Sequence, residues 1–149
     1  MGAHVGRDVL VEFAIADENA VPASLTYLNL GMMRGKSIKT TWDTADTTAD
    51  DSPDFTKTKL VTFKDVEFSG DGVSYDDAVF NQETLEAHVV SPGAATVNQP
   101  KVWFRLTYPS GKVYEGPFII SEWSNDSPYS DAATWSITAA SNGAVTMTP

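Results

Sequence analysis

The sequence predicts a mainly β domain of α+β class: two packed antiparallel sheets, sandwich- or barrel-like, with one flanking α-helix and one long acidic loop. Three observations carry this. Short alternating apolar runs recur along the 149 residues, bounded by Gly, Pro, Asn and Asp, which is the pattern of strands and turns. Only residues 77–89 have helical spacing. Residues 101–123 hold two alternating runs joined by Pro109-Ser110-Gly111, a hairpin that orders its neighbours. One helix beside many strands and no internal repeat is an α+β arrangement, and the length suits a single domain over residues 1–149.

The elements follow in order. Residues 7–16 alternate, with Val9, Val11, Phe13 and Ile15 on one side, and read as a first strand. Asp17-Glu18-Asn19 turns the chain, residues 25–30 read as a short second strand, and residues 34–42 as an extended polar strand whose only aliphatic residue is Ile38. Residues 57–69 resume as a strand whose apolar positions change phase, from Val61 and Phe63 to Val66 and Phe68. A bulge near Lys64-Asp65 would restore one buried face, and Ser69-Gly70-Asp71-Gly72 would end the strand. Ser74 or Asp76 would cap the helix over 77–89, with Asp77 near the positive end of its dipole and Ser91-Pro92-Gly93 stopping it. Residues 133–138 read as a strand, followed by Asn142-Gly143 and a tail over 144–149.

The hairpin has a register that the turn sets. Pro109, Ser110 and Gly111 suit a three-residue loop ending in a left-handed Gly. Tyr108 then faces Lys112, Leu106 faces Tyr114, Arg105 faces Glu115 and Phe104 faces Gly116, so apolar meets apolar and opposite charges pair. A four-residue loop would set Leu106 against Glu115 and exchange the faces. Gly111 and Gly116 are therefore positions where a side chain is costly.

Residues 40–56 carry Asp43, Asp46, Asp50, Asp51 and Asp54 among six threonines, with no basic residue, and are bracketed by Trp42 and Phe55. Such a segment cannot build a core. A long solvated loop is the expectation, either mobile at the surface or ordered by a partner, since structureless loops of this length inside domains are generally functional or linkers.

Composition excludes several functions. A formal charge of −10 argues against grasping nucleic acid with a basic surface. There is no cysteine, hence no disulfide framework or thiolate site. No basic region precedes an apolar run at the start, and no run approaches a membrane span. His4 and His88 lack metal-ligand spacing; His88 suits a helix C-terminus. No nucleophile elbow or phosphate-binding glycine loop occurs, and neither the Asp43–Asp54 cluster nor Asp71-Gly72-Val73-Ser74-Tyr75-Asp76-Asp77 matches an EF-hand. No catalytic residue, cofactor or metal is expected. Trp42, Trp103, Trp123 and Trp135 leave one alternative, a monomeric β-sandwich module stacking on glycans, although tryptophan in strands is more often core or interface.

The order of parts resembles the major tail proteins, or tail tube proteins, of siphophages. The cues are Gly6-Arg7-Asp8-Val9-Leu10-Val11, the long Thr/Asp loop after a strand, the helix start Asp76-Asp77-Ala78, Pro109-Ser110-Gly111 with Tyr114-x-Gly116-x-Phe118-x-Ile120-Ser121, and the closing residues 136–146. The resemblance implies a structural subunit assembled in the host bacterial cytoplasm into stacked hexameric rings. Inner strands of six copies would line a lumen for DNA, which passes without specific binding, and the long loop would reach the adjacent ring. Tail tip or initiator, tape-measure and tail terminator proteins would be its other partners. Acidic groups would keep DNA moving, because a cationic wall would hold phosphates by counterion release; Asp65, Glu67 and Glu115 are the lumen candidates. In the loop, Trp42 and Phe55 would anchor on a neighbouring copy while the aspartates meet its basic or amide groups.

Overall fold

The computed structural model describes residues 8–47, 57, 59–75 and 78–149. Among them eight strands appear: β1 Leu10–Ala14, β2 Leu28–Asn29, β3 Met33–Asp46, β4 Lys59–Val73, β5 Lys101–Thr107, β6 Val113–Asp126, β7 Thr134–Ser141 and β8 Thr146–Thr148. One α-helix, α1 Gln82–Val90, lies between β4 and β5. The described residues are mainly β with a single α-helix, as the pattern predicts. The strands do not separate into two hydrogen-bonded sheets, however. They follow one antiparallel path, β2-β1-β5-β6-β7-β4-β3, with β8 joined to β6, and its ends do not pair, so no barrel closes.

The reason lies in β6. It is 14 residues long, and β5 pairs with it from Val113 to Ile119 while β7 pairs with it from Phe118 to Asp126. The strand thus belongs to both layers, with a register irregularity between Ile120 and Glu122 where they part. The layers face each other across an aromatic core. Phe68 of β4 meets Phe104 of β5 at 4.8 Å between ring centroids, and Phe104 meets Phe118 edge-on at 5.6 Å. Phe13, Phe68, Phe104 and Phe118 are all fully buried, each worth about 1.5–3 kcal/mol relative to exposure.

The hairpin register is the expected one in full: Leu106 pairs Tyr114, Arg105 pairs Glu115 and Phe104 pairs Gly116. The Tyr108 N–H donates to the Lys112 carbonyl and the Gly111 N–H to the Tyr108 carbonyl, both at 2.9 Å. Gly111 has φ +92°, the left-handed region that favours glycine. Gly116 is glycine for a different reason: a Cβ there would lie 2.7 Å from the Val145 backbone. Val145 passes so close because the chain detours between β7 and β8. The Pro117 carbonyl accepts from the Asn142 N–H at 2.9 Å, so Pro117 presents its polar backbone to that edge, where it has no N–H to return. The ladder breaks there, and β8, part of the segment expected only as a short tail over 144–149, resumes it along Val113–Glu115.

Three other expectations are corrected. The strand over 57–69 runs on through the glycines to Val73, because Gly70 and Gly72 let β3 approach closely; a Cβ on Gly72 would lie 2.3 Å from the Met32 carbonyl oxygen. The helix begins at Gln82, not at 77, after a 3-10 turn over Ala78–Phe80, and Asn81 precedes it at φ 57° with no side-chain cap. Ser74 does not cap it, and Asp76 and Asp77 lie outside the described residues. Second-strand residues 25–30 contribute only Leu28–Asn29 to the sheet.

Since nothing lies within 4 Å of a Cβ built on Gly111, Gly111→Val isolates the cost of its φ. The variant should lose about 1–3 kcal/mol in urea unfolding, and a wild-type midpoint would contradict the turn.

Candidate assembly surface

The residues picked out by sequence around position 40 do not form a loop throughout. Trp42, Asp43 and Asp46 lie in β3, which pairs with β4 from Met33 opposite Gly72 to Asp46 opposite Lys59. The threonines explain the misreading: β-branched side chains favour strands even where charge and polarity suggest a loop. Asp50, Asp51, Asp54 and Phe55 lie outside the described residues. Beyond Glu67 the ribbon has lost its third strand, since β7 pairs β4 only over Glu67–Val73. Residues 41–46 with 59–65 are therefore a two-stranded arm. At its root Ser141, the last residue of β7, takes over from the ladder: its hydroxyl accepts the Val66 N–H at 3.0 Å and donates to Asp65 at 3.1 Å.

The arm exposes Trp42, Leu60, Val61 and Phe63, the last at 75%. The bulge expected near Lys64-Asp65 sits slightly earlier, where Asp43 opposes Thr62 and Phe63 between the pairs Trp42–Lys64 and Thr44–Val61. It returns Val61 to the face of Val66 and Phe68, but no core lies beneath that part of the ribbon. The Lys64 ammonium lies 5.8 Å from the Trp42 ring centroid, covering part of it. A two-stranded ribbon alone is marginally stable in water, and unpaired strand edges invite another chain.

The lumen candidates separate. Asp65 and Glu67 are exposed and lie on the sheet face away from the core, since Glu67 pairs Lys39 and Ala140. Glu115 shares that face but is engaged. Its carboxylate accepts from the Tyr27 hydroxyl at 2.6 Å. Arg105, its cross-strand neighbour, instead pairs with Glu12 at 3.0 Å and stacks over the Tyr27 ring at 4.1 Å. Sequence reasoning missed Tyr27, whose partners lie on distant strands. Burial first, and then the Glu115 hydrogen bond and charge, push the Tyr27 hydroxyl well above the ordinary tyrosine range.

The aromatic candidates point inward. Trp103 and Trp135 are buried, with indole N–H groups donating to the Asp17 carbonyl at 2.7 Å and the Val73 carbonyl at 3.2 Å. Trp123 stacks on Trp135 at 5.1 Å. Only Trp42 is broadly open, which removes the row of exposed rings that the glycan reading needs. His88 is buried, and its Nε2–H donates to the Lys101 carbonyl at 2.9 Å; His4 lies outside the described residues. A further residue missed by sequence is Gln82. Its amide donates to the Gly31 and Val73 carbonyls and accepts the Tyr75 N–H, tying α1 to the end of the β3–β4 pair where β3 begins and β4 ends. Among the described residues no group of three His, Asp or Glu side chains could hold a metal ion.

What this geometry defines is a β building block: a satisfied core and an apolar arm extending past it. A family model described as phage tail tube protein matches residues 3–147, and the chain belongs to that family, a structural family and not an enzyme family; it is a virion component, a tail tube subunit that assembles into tubes. Solved structures share its fold. A chain in the tail of an empty gene transfer agent particle, refined with C6 symmetry, is 20% identical, covers 99% of this chain and all of its own, and has a TM-score of 0.73. A sheath/tube terminator of an extracellular contractile injection system in the extended state is 11% identical, with 100% and 99% covered and a TM-score of 0.65. The SPP1 tail tube is 13% identical, with 96% and 77% covered and a TM-score of 0.62. No curated protein matches the chain.

Because the Tyr27 hydroxyl is held protonated in the fold, its stabilisation is fully present below the ordinary tyrosine value of 10.0 and is lost as pH rises above it. Urea midpoints measured from pH 8 to 11 should fall more steeply for the wild type than for Tyr27→Phe. Parallel curves would remove Tyr27 as the cause.

Proposed function

We propose that this chain, as a single tail-tube domain, is the repeating subunit of a long non-contractile tail tube, six copies closing each ring and the arm of each copy bridging to the next ring. The observation that carries the reading is the arm itself: Trp42, Leu60, Val61 and Phe63 are exposed on a ribbon without a third strand, a surface that makes sense when a neighbouring copy covers it. Six-fold closure is supported by the likeness to the gene transfer agent tail with C6 symmetry. Tail tip or initiator, tape-measure and tail terminator proteins are the further partners of such a tube.

In this reading the outer face of β4 turns to the lumen and presents Asp65 and Glu67. At −10 per chain a six-copy ring carries −60, of which only groups within about 10 Å of the passing DNA act strongly at 0.1 M salt. The wall repels phosphate and leaves the DNA free to slide. Glu115 contributes less, being bound to Tyr27 and close to Arg105.

Two experiments test this. Trp42→Ser combined with Phe63→Ser should leave the circular dichroism spectrum unchanged and abolish tubes in negative-stain microscopy; long tubes of normal width would overturn the connector role. Asp65→Lys with Glu67→Lys, built into particles, should slow DNA release, and unchanged release would overturn the role of lumen charge.

A further inference from the structure

The sequence sets one asparagine directly before a glycine, Asn142-Gly143, and the fold holds this pair where the ladder breaks between β7 and β8. Glycine is required there. Its φ is +148°, and a Cβ built on Gly143 would lie 2.8 Å from Cγ of Pro117, so no side chain fits without displacing the proline ring. The neighbour is anchored twice. The Asn142 N–H donates to the Pro117 carbonyl at 2.9 Å, and its side-chain amide donates to the Glu18 carboxylate at 3.3 Å. Glu18 is already committed to Lys101 at 3.0 Å, and a backbone hydrogen bond first, then Lys101, hold its carboxyl below the ordinary range. It is an anion at neutral pH.

Asparagine is thermolabile because its amide carbon is an electrophile within reach of the next backbone nitrogen, and the cyclic imide that results is hindered by a Cβ on that next residue. Gly143 has none. It is exposed, and among the described residues its N–H donates to no acceptor, so neither packing nor a hydrogen bond holds the nucleophile back. Asn19, Asn29, Asn81, Asn98 and Asn125 all precede larger residues.

We propose that Asn142-Gly143 is a site of spontaneous covalent modification, at which the asparagine amide becomes a carboxylate facing Glu18 and thereby frees β8 from the edge of β6. The Gly143 nitrogen attacks Cγ of Asn142 and loses its proton, the Cγ–Nδ2 bond breaks, and ammonia leaves with that proton. Water then opens the imide at either carbonyl, to aspartate or isoaspartate, with no change of oxidation state. Both products set a second anion where an amide donor stood, and isoaspartate also lengthens the main chain by one methylene between the Pro117 anchor and β8. β8 is poorly placed to resist: its three residues are exposed, pair only with Val113–Glu115, and follow Val145, which is seated against Gly116. The step uses no enzyme or cofactor, so it advances with the age of the chain, and it does not rest on the tube reading.

Incubation of the purified wild-type chain in mildly alkaline buffer tests the site, because base removes the Gly143 proton. Trypsin releases residues 113–149 as one peptide, Lys112 being the last basic residue, and fragment masses should place the amide-to-carboxyl gain at Asn142 well before Asn125. Conversion of a synthetic peptide of residues 138–146 with no change in the protein, or equal gain at Asn125, overturns the site. Asn142→Asp reproduces the charge. Hydrogen exchange of the Thr146–Thr148 amides should be about 5-fold faster in it than in the wild type, the effect of two solvated charges ~4 Å apart, whereas Asn142→Ser, which loses the donor without adding charge, should change it less. The converted wild-type fraction, separated on anion exchange by its extra negative charge, gives the same readout without a substitution. Exchange equal to the unconverted wild type, or equal acceleration in Asn142→Asp and Asn142→Ser, overturns the release of β8.

Discussion

The contact between Phe68 and Phe104, 4.8 Å between centroids, joins strands that are three steps apart on the sheet path. It exists because a single sheet with one apolar face has nothing else of sufficient size to bury that face against. The sheet must fold over on itself, and a strand shared by both layers is the means: β6 carries β5 on one edge along its first half and β7 on the other along its second. The helix is too short to cover the core. At nine residues it fills one flank, with Leu85 inward, and its orientation is set by polar groups: Gln82 bonded to the carbonyls that terminate the β3–β4 pair, and His88 bonded to the start of β5.

The arm follows from the same constraint. β3 and β4 are longer than the core they cover, since β7 ends at Ser141 and the ladder along β6 is interrupted at Pro117. A third strand opposite residues 59–65 would have to continue β7 in line, but the chain turns away at Asn142-Gly143 to rejoin β6 as β8. The residues that break the ladder thereby create the free ribbon. Apolar side chains placed there contribute little to folding and remain available for contact with another copy.

How far the sequence revealed this depended on whether a local rule fixed each element. The hairpin register was legible in every pair because a three-residue loop with a left-handed Gly leaves only one alignment that matches apolar to apolar. Even so, it did not disclose that Arg105 would turn to Glu12 and leave Glu115 to Tyr27, since those partners come from strands brought together only by the whole fold. The arm was misread in part because Thr and Asp were weighed as a solvated loop, and strand propensity in the threonines was outvoted by charge. The helix start was misplaced because Ser74 and Asp76 are good caps by type, while the observed start is fixed by tertiary bonds from Asn81 and Gln82 to the backbone of β2 and the β2–β3 and β4 ends. β8 was invisible: three residues after a Gly turn have no periodicity to read.

The distribution of charge gives the subunit its last property. A chain at −10 repels its own copies at long range, which favours dispersed monomers, and the repulsion is screened over about 10 Å at 0.1 M salt. Close approach is then decided locally. On the arm the charges are mixed, with Asp46 across the ladder from Lys59 and Lys64 over the Trp42 ring, so no single-sign field guards its apolar side chains. Surface charge governs orientation and rate more than final affinity; in the proposed tube the affinity rests on Trp42, Leu60, Val61 and Phe63, which are exposed on the single subunit. The core, built from different residues, is fully satisfied without these groups, since no buried side-chain polar atom among the described residues lacks a hydrogen-bond partner.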